Sequence, residues 1–147
     1  MKPSIAHRRR AGWSALGIAL NLVTGVATAD MIAVVSSRSP VTTLSRMQIA
    51  DIFLGKTTRF PDGSRAVPID QAEGVAGRNQ FYKEFTGKSA AQIKAHWSKI
   101  IFTGRGQPPH VVANDIEARS RLAKDPSAIG YMEQSLIDGS VRALLVH

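Results

Sequence analysis

The most constraining feature of this chain is a run of local signals that specify a helix, a glycine stop, a turn and a strand in that order. Apolar side chains recur at helical spacing over residues 45–54, and Ser45 is a suitable N-cap. Gly55 stands where a helix ends in a left-handed residue, and residues 61–63 (Pro-Asp-Gly) are a turn signal. Residues 67–69 then enter a short strand.

Other segments continue the alternation of strands and helices. A strand is predicted at 31–36, a helix after the turn at 74–77, strands at 129–132 and 141–146, and a weaker helix at 111–124 with Val111, Ala118 and Leu122 on one side. Ser89 caps a further helix, whose apolar face is predicted to pack on the sheet; this face consists of Ile93, Trp97, Ile100 and Ile101. Loops are expected at 37–43 and 102–109.

This alternation predicts an α/β fold in one domain, with a small, mostly parallel sheet flanked by helices. The first strand (MIAVVS) is almost continuously apolar, as strands of parallel sheets are. The sequence shows no internal repeat and no interdomain linker. The domain is expected to span residues 30–147.

The first 29 residues have the pattern of a secretory signal peptide. Lys2 and residues 8–10 (three arginines) form a positive region, residues 11–26 are apolar, and residues 27–29 (Ala-Thr-Ala) match a cleavage motif. We therefore expect cleavage after Ala29 and a periplasmic protein. An uncleaved N-terminal anchor is the alternative, although Ser, Asn and Thr residues interrupt the apolar run.

Charge and cysteine content exclude several functions. The formal net charge of the chain is +8, and four Lys/Arg but no Asp/Glu precede Asp30, so the mature chain carries +4. The sequence shows no basic stripe interleaved with aromatic residues, so we do not expect nucleic-acid binding. The absence of cysteine excludes thiol catalysis and cysteine-ligated zinc.

Three stretches in order resemble the phosphate ABC transporter substrate-binding proteins (PstS-like, type II periplasmic binding proteins). They are residues 44–63, residues 70–81, and residues 126–131 (PSAIGY), which are similar to the family's P-G-A-I-G-Y. Trp97 and the loop at 102–104 also fit. The resemblance implies one lobe of such a protein, because members of full length close two lobes around the ligand.

The resemblance also implies an oxyanion site built from helix N-terminal amides, hydroxyls and an arginine. The family's arginine and D-G-S-G-T fall on residues 71–77, where Gln71, Val75 and Gly77 replace the arginine, the serine and the threonine. The ligand-binding residues implied for this chain are Ser36, Ser37, Gly74, Val75, Ala76, Gly77 and Arg78. We expect the binding to be weak, because half of the anion would stay solvated.

Each candidate residue also has a structural interpretation. Arg78 could be an exposed helix arginine, and Ser36 and Ser37 could be loop hydroxyls that bond the backbone. His96 and His110 lack metal-ligand spacing, so no metal is expected. Asp70 and Glu73 form a pair three residues apart, for which capping or exclusion of anions is more plausible than acid–base chemistry.

Two functional hypotheses follow from the sequence. The first is an exported solute-binding module that captures inorganic phosphate or a similar oxyanion without covalent chemistry or a cofactor, with an ABC permease or another envelope protein as partner. The second is an envelope interaction protein that keeps the fold and has lost the ligand. We expect no enzymatic activity, and dimerisation could bring two half-sites together.

Overall fold

The computed structural model describes residues 29–147. The predicted signal segment therefore lies outside the described residues, apart from Ala29. The strands are β1 (Met31–Ser36), β2 (Thr43–Leu44), β3 (Val67–Gln71), β4 (His110–Val112), β5 (Ala128–Glu133), β6 (Val141–Ala143) and β7 (Leu145–Val146). The helices are α1 (Arg46–Phe53), α2 (Ala76–Thr86), α3 (Ala90–Phe102), α4 (Asp115–Lys124) and a 3₁₀ turn (Gln134–Leu136).

The main sheet has the strand order β4-β3-β5-β1-β6. Strands β3, β4 and β5 are parallel to one another, and β1 is antiparallel to both of its neighbours, β5 and β6. The prediction of a mostly parallel α/β sheet flanked by helices is confirmed. The interpretation of β1 as a parallel strand was wrong, because its apolar composition reflects burial between two layers and carries no information about direction.

Helix α1 begins and ends at the predicted signals. The Ser45 hydroxyl accepts a hydrogen bond from Gln48 N–H at 3.1 Å, and the Gln48 side chain accepts one from Ser45 N–H at 2.8 Å. This capping box satisfies two backbone donors that the helix leaves free. Gly55 follows the helix with φ of 72°, and its N–H bonds the Ile52 carbonyl.

Helix α3 has the same kind of cap, formed by Ser89 and Gln92. Its packing differs from the prediction, because α3 packs chiefly on α2 and on the end of α1 instead of on the sheet. Ile93 and Trp97 are buried there, whereas Ile101 is 56% exposed. The predicted apolar face therefore wrongly included Ile101, which lies on the exposed side of the helix.

Four short strands, β2, β4, β6 and β7, were missed or merged by the sequence analysis. Residues 110–112, predicted to begin a helix, form strand β4, and α4 begins only after Asn114, whose side chain accepts from Glu117 N–H at 3.0 Å. Val111 therefore lies on a strand and not on the helix face of Ala118. The segment 141–146 divides into β6 and β7, and β7 pairs with β2 in a separate two-stranded sheet.

Apolar clusters lie on both sides of the sheet. Helices α1 and α2 cover one side with residues such as Phe53 and Phe81, α3 adds Ile93 to the same cluster from outside, and α4 covers the other side with Leu122. The sheet and both clusters lie within residues 31–144, so we expect the segment 30–147 to fold on its own. No helix of the described segment is long and apolar enough to cross a membrane.

Gly55→Ala should destabilise the protein more than Gly87→Ala. Both glycines have positive φ, 72° and 70°, so alanine at either position costs about 1–2 kcal/mol of backbone strain. A Cβ at Gly55 would also lie 2.7 Å from the Trp97 ring, whereas one at Gly87 would meet nothing within 4 Å. Displacing the buried ring adds about 1–3 kcal/mol. Urea unfolding measures both variants, and equal losses would contradict this account of Gly55.

Candidate functional site

The candidate site lies where β3 ends and α2 begins. After Gln71, a turn containing Gly74 at φ of 90° carries the chain to Val75, the N-cap of α2. Val75 has no side-chain oxygen, so the cap makes no side-chain hydrogen bond. Within residues 29–147, the backbone N–H groups of Ala76 and Gly77 have no acceptor. The start of α2 thus presents free amides and the positive end of the helix dipole.

The buried carboxylate of Asp70 is the electrostatic centre beneath this turn. Its Oδ1 accepts hydrogen bonds from the Tyr131 hydroxyl at 2.5 Å and from Gln71 N–H at 2.8 Å. Its Oδ2 accepts from the Tyr82 hydroxyl at 2.8 Å and from Arg78 Nε at 3.2 Å. Asp70 is 2% exposed, so these four donors replace its hydration.

Both tyrosines in this group act as hydrogen-bond donors. Burial raises the pKa of Tyr82 and of Tyr131 far above the ordinary value, and the nearby Asp70 carboxylate raises both pKa values further. The phenols therefore remain protonated at physiological pH and donate to the carboxylate. The result is a closed hydrogen-bonded group that joins β3, β5 and α2.

Arg78 does not take the exposed position that was its structural alternative. It is 9% exposed, pairs with Asp70, and places its guanidinium carbon 5.0 Å from the centre of the Tyr82 ring. Only Nε is engaged by Asp70; the two terminal nitrogens have no hydrogen-bond partner in the described part of the chain. Arg78 therefore neutralises an internal carboxylate and keeps part of its donor capacity.

Further carboxylates lie along the same edge of the sheet. Gln71 Nε2 donates to Asp115 Oδ1 and, at 3.2 Å, to the Tyr131 carbonyl. Burial raises the pKa of Asp115, the Gln71 hydrogen bond opposes that shift, and Glu133 raises the pKa further. Glu73 in the turn is exposed and pairs with Lys94 at 3.7 Å. The carboxylates of Asp115, Glu133 and Glu73 repel an anion at this edge, so they weaken the anion binding that the free amides of α2 can provide.

Ser36 and Ser37 lie at the opposite edge of the sheet from the start of α2. Strand β1 runs antiparallel to β5, so its last residues are beside the start of β5, whereas Gly77 lies close enough to Met31 that a Cβ there would be 2.8 Å from Met31 Cε. The Ser36 hydroxyl is buried and accepts from Arg38 N–H at 3.2 Å. The expectation that these serines join Gly74–Arg78 in one site was therefore wrong, because it assumed a parallel β1.

The remaining candidates have structural roles or stand apart. His96 Nε2 donates to the Leu54 carbonyl at 2.8 Å, and His110 is exposed on β4. No group of three His, Cys, Asp or Glu suited to a metal ion occurs among residues 29–147. Asp70 and Glu73, considered above as a pair, do not act together, because one is buried and the other is paired with Lys94.

Sequence reasoning missed the roles of Tyr82 and Tyr131. Arg78 and Tyr82 are four residues apart on α2, and a buried arginine and tyrosine at that spacing could have indicated a shared acidic partner. Tyr131 is 61 residues from Asp70, and no local pattern reveals that contact.

Comparison with known proteins places the fold. Neither a family model nor a curated protein matches this chain by sequence. Among solved structures, a putative phosphate ABC transporter substrate-binding protein with bound phosphate from Clostridium perfringens superposes with a TM-score of 0.65 and 22% identity over 80% of this chain. An ABC-type phosphate transport receptor from Vibrio cholerae gives 0.63 and 19%, also over 80% of this chain. PstS from Borrelia burgdorferi gives 0.59 and 14% over 81%.

The match covers only part of each of these proteins. The chain spans 45% of the Clostridium protein and 47% of each of the other two, less than half of their length. At these identities the likeness is one of fold, so the resemblance seen in the sequence is confirmed at the level of architecture.

Asp70→Asn should be strongly destabilising, because it leaves the buried Arg78 without its counter-charge. Breaking one side of a buried ion pair costs about 3–5 kcal/mol, which urea unfolding at neutral pH would measure. The double variant Asp70→Asn/Arg78→Met should be no less stable than Asp70→Asn alone, since it removes the uncompensated charge.

Asp62→Asn is the matched control. Asp62 is exposed and accepts from Ser64 N–H at 2.9 Å, and asparagine keeps that acceptor, so stability should change little. A loss at Asp70 no greater than that at Asp62 would contradict the importance given to the buried carboxylate.

Proposed function

We propose that this chain is an exported solute-binding module of one lobe, which holds inorganic phosphate or a related oxyanion weakly at the start of α2. The observation that carries the proposal is the uncapped helix N-terminus, where the N–H groups of Ala76 and Gly77 lack an acceptor in the described segment. A helix N-terminus attracts anions through its free amides and its dipole. The structural neighbours named as phosphate-binding proteins support the choice of anion.

The residues proposed to contact the anion are confined to one edge of the sheet. Gly74, Val75, Ala76 and Gly77 supply backbone, and Arg78 supplies positive charge from the first turn of α2. Ser36 and Ser37 are not included, because they lie at the other edge. Since no second lobe covers this edge within residues 29–147, the anion keeps part of its hydration, and binding is weak unless a second copy or another protein closes the site.

The second candidate is an envelope interaction protein that keeps the fold without binding a solute. The observation that favours it is that Arg78 Nε and the hydroxyls of Tyr82 and Tyr131 all donate to Asp70. These donors are therefore already engaged by an internal carboxylate and are not free to bind an external anion. Asp115 and Glu133 add negative charge at the same edge. An ABC permease or another envelope protein is the proposed partner in either case, and neither candidate involves catalysis.

Ala76→Pro tests the solute-binding proposal directly. Proline is tolerated at the first helical position, and Val75 already has the extended backbone, φ −69° and ψ 127°, that a residue before proline requires. The substitution removes one free N–H. Loss of one charge-assisted hydrogen bond should weaken orthophosphate binding about 10- to 100-fold. The measurement is isothermal titration of residues 30–147, refolded to remove carried-over ligand.

Ala90→Pro is the matched control, because Ala90 is the first residue of α3 and its helix is already capped by Ser89. It should bind phosphate like the unmodified protein. If the unmodified protein gives no heat and phosphate leaves its melting temperature unchanged, phosphate binding is excluded and the interaction-protein candidate is favoured.

Export is tested separately from binding. We propose cleavage after Ala29, so protein recovered from the periplasmic fraction of a bacterial host should begin at Asp30. Intact mass measurement identifies the N-terminus. A retained N-terminus in the membrane fraction would support the anchored form, and recovery of the full chain in the cytoplasm would exclude export.

A further inference from the structure

Positive charge is concentrated in one segment of the fold. Between Glu84 and Asp115 the sequence has no acidic residue, yet it contains Lys88, Lys94, Lys99 and Arg105 together with two histidines. This segment comprises α3 and the loop that leads to β4. The positive net charge of the chain is therefore partly concentrated in this segment.

Two large apolar side chains are exposed where α3 ends. Phe102 is 92% exposed and Ile101 is 56% exposed. An exposure of 92% means that Phe102 projects from the helix end and is not part of a groove. Because the two residues are adjacent, they form one exposed apolar projection at the helix end.

Cationic side chains flank this apolar pair. A surface cavity of 390 Å³ is lined by His96, Lys99, Ile100, Thr103 and Arg105. Lys99 is three residues before Phe102, so the two side chains are neighbours on the helix surface. Within the described segment, neither Lys99 nor Arg105 has an acidic partner. The cavity therefore places Lys99 and Arg105, which lack acidic partners in the described segment, beside the exposed side chains of Ile101 and Phe102.

Three of the last four carbonyls of α3 already accept hydrogen bonds. The Thr103 hydroxyl donates to the Lys99 carbonyl at 2.9 Å and to the Ile100 carbonyl at 3.2 Å. The N–H groups of Gly104 and Arg105 bond the carbonyls of Ile101 and Ile100, both at 3.1 Å. Because these carbonyls are already satisfied, an anion near Lys99 and Arg105 meets less repulsion than free carbonyls at the helix end would cause.

We propose that residues 99–105, here called the α3 tip, dock this protein on a membrane surface that carries anionic phospholipid headgroups. Phe102 and Ile101 enter the interfacial region of the bilayer. Lys99 and Arg105 contact the headgroup phosphates at its surface. Apolar side chains beside lysine and arginine are the combination that binds anionic interfaces, since burial and electrostatic attraction add.

A lipid surface fits the α3 tip better than a folded protein partner. A protein interface of specific type is broad and buries some 20–30 residues on each side. Here the apolar exposure is restricted to two residues on a projecting turn, and its neighbours are cations without acidic residues among them. A soft, uniformly anionic surface accepts such a projection without requiring a matching pocket.

The test is sedimentation of residues 30–147 with vesicles of phosphatidylethanolamine and phosphatidylglycerol, with phosphatidylcholine vesicles as the neutral comparison. The chain should bind the anionic vesicles, and raised salt should weaken the binding. Lys99→Glu/Arg105→Glu should reduce it at least about 25-fold, given about fivefold for each cation near the surface. Phe102→Ser should reduce it about tenfold.

Matched controls lie on α4, on the other side of the sheet. Arg121→Glu/Lys124→Glu makes the same change in net charge in the last turn of a helix, and Ile116→Ser removes an apolar side chain that is 65% exposed. Ile116→Ser should bind vesicles like the unmodified chain. Arg121 and Lys124 share a cavity with His110 but lie outside the α3 tip, so Arg121→Glu/Lys124→Glu should lose less binding than Lys99→Glu/Arg105→Glu. All variants are first checked for a cooperative melt.

A fluorescent variant reports insertion directly. Trp97 is the sole tryptophan of residues 30–147 and is 7% exposed, so it should respond little to vesicles. In Phe102→Trp, the emission maximum should shift to the blue with anionic vesicles and stay unchanged with free phosphate.

Absence of sedimentation with anionic vesicles would overturn the proposal, as would equal losses in the α3 and α4 variants. Saturable binding of inorganic phosphate that is lost in Lys99→Glu/Arg105→Glu, without vesicle binding, would assign the cavity to a free oxyanion and also overturn it. The proposal is independent of phosphate binding at α2, because that binding is tested with Ala76→Pro and involves no residue of the α3 tip.

Discussion

The buried carboxylate of Asp70 is the interaction on which the arrangement of this lobe depends. An ionised carboxylate at 2% exposure is strongly unfavourable unless donors replace its lost hydration. Those donors come from β3 itself, from α2 and from β5, so a single charge holds three elements together. The direction in which α2 leaves β3 follows from this bond set, and so does the position of the free amides of Ala76 and Gly77. The same bonds use donors that an external anion would need.

Local signals in the sequence were sufficient for most helices but not for the direction of strands. Ser45, Gly55 and Ser89 act through neighbours within a few residues, so their capping and stopping roles were readable from the chain alone. Strand β1 is apolar because both of its faces are buried, and burial is the same for either direction. The two short strands β2 and β7 depend on pairing between residues about 100 apart, which no local pattern encodes.

The candidate site was also predictable only in its local features. The helix start at residues 74–78 is a local feature and appears where the sequence indicated. The partner of Arg78 was not predictable, because its closeness to Asp70 depends on how α2 folds back over β3. The grouping of Ser36 with Gly77 was wrong because β1 is antiparallel to β5. This direction places the last residues of β1 at the edge opposite to the start of α2. Resemblance to a two-lobed family also favoured that grouping, although this chain spans less than half of such proteins.

The two proposed surfaces lie at different ends of the lobe, and this separation has a functional consequence. The start of α2 follows the last residue of β3, whereas the α3 tip leads through residues 106–109 to the first residue of β4, which runs parallel to β3. The edge proposed to hold the oxyanion, formed by residues 74–78 and here called the oxyanion edge, therefore lies at the last residues of the parallel strands. The α3 tip lies near their first residues. A lobe docked on a membrane through Phe102 would point its oxyanion edge away from the lipid. The negative charges of Asp115 and Glu133 would then also face away from the anionic headgroups, so electrostatic repulsion would favour the orientation that keeps the half-site open to solute or to a second protein.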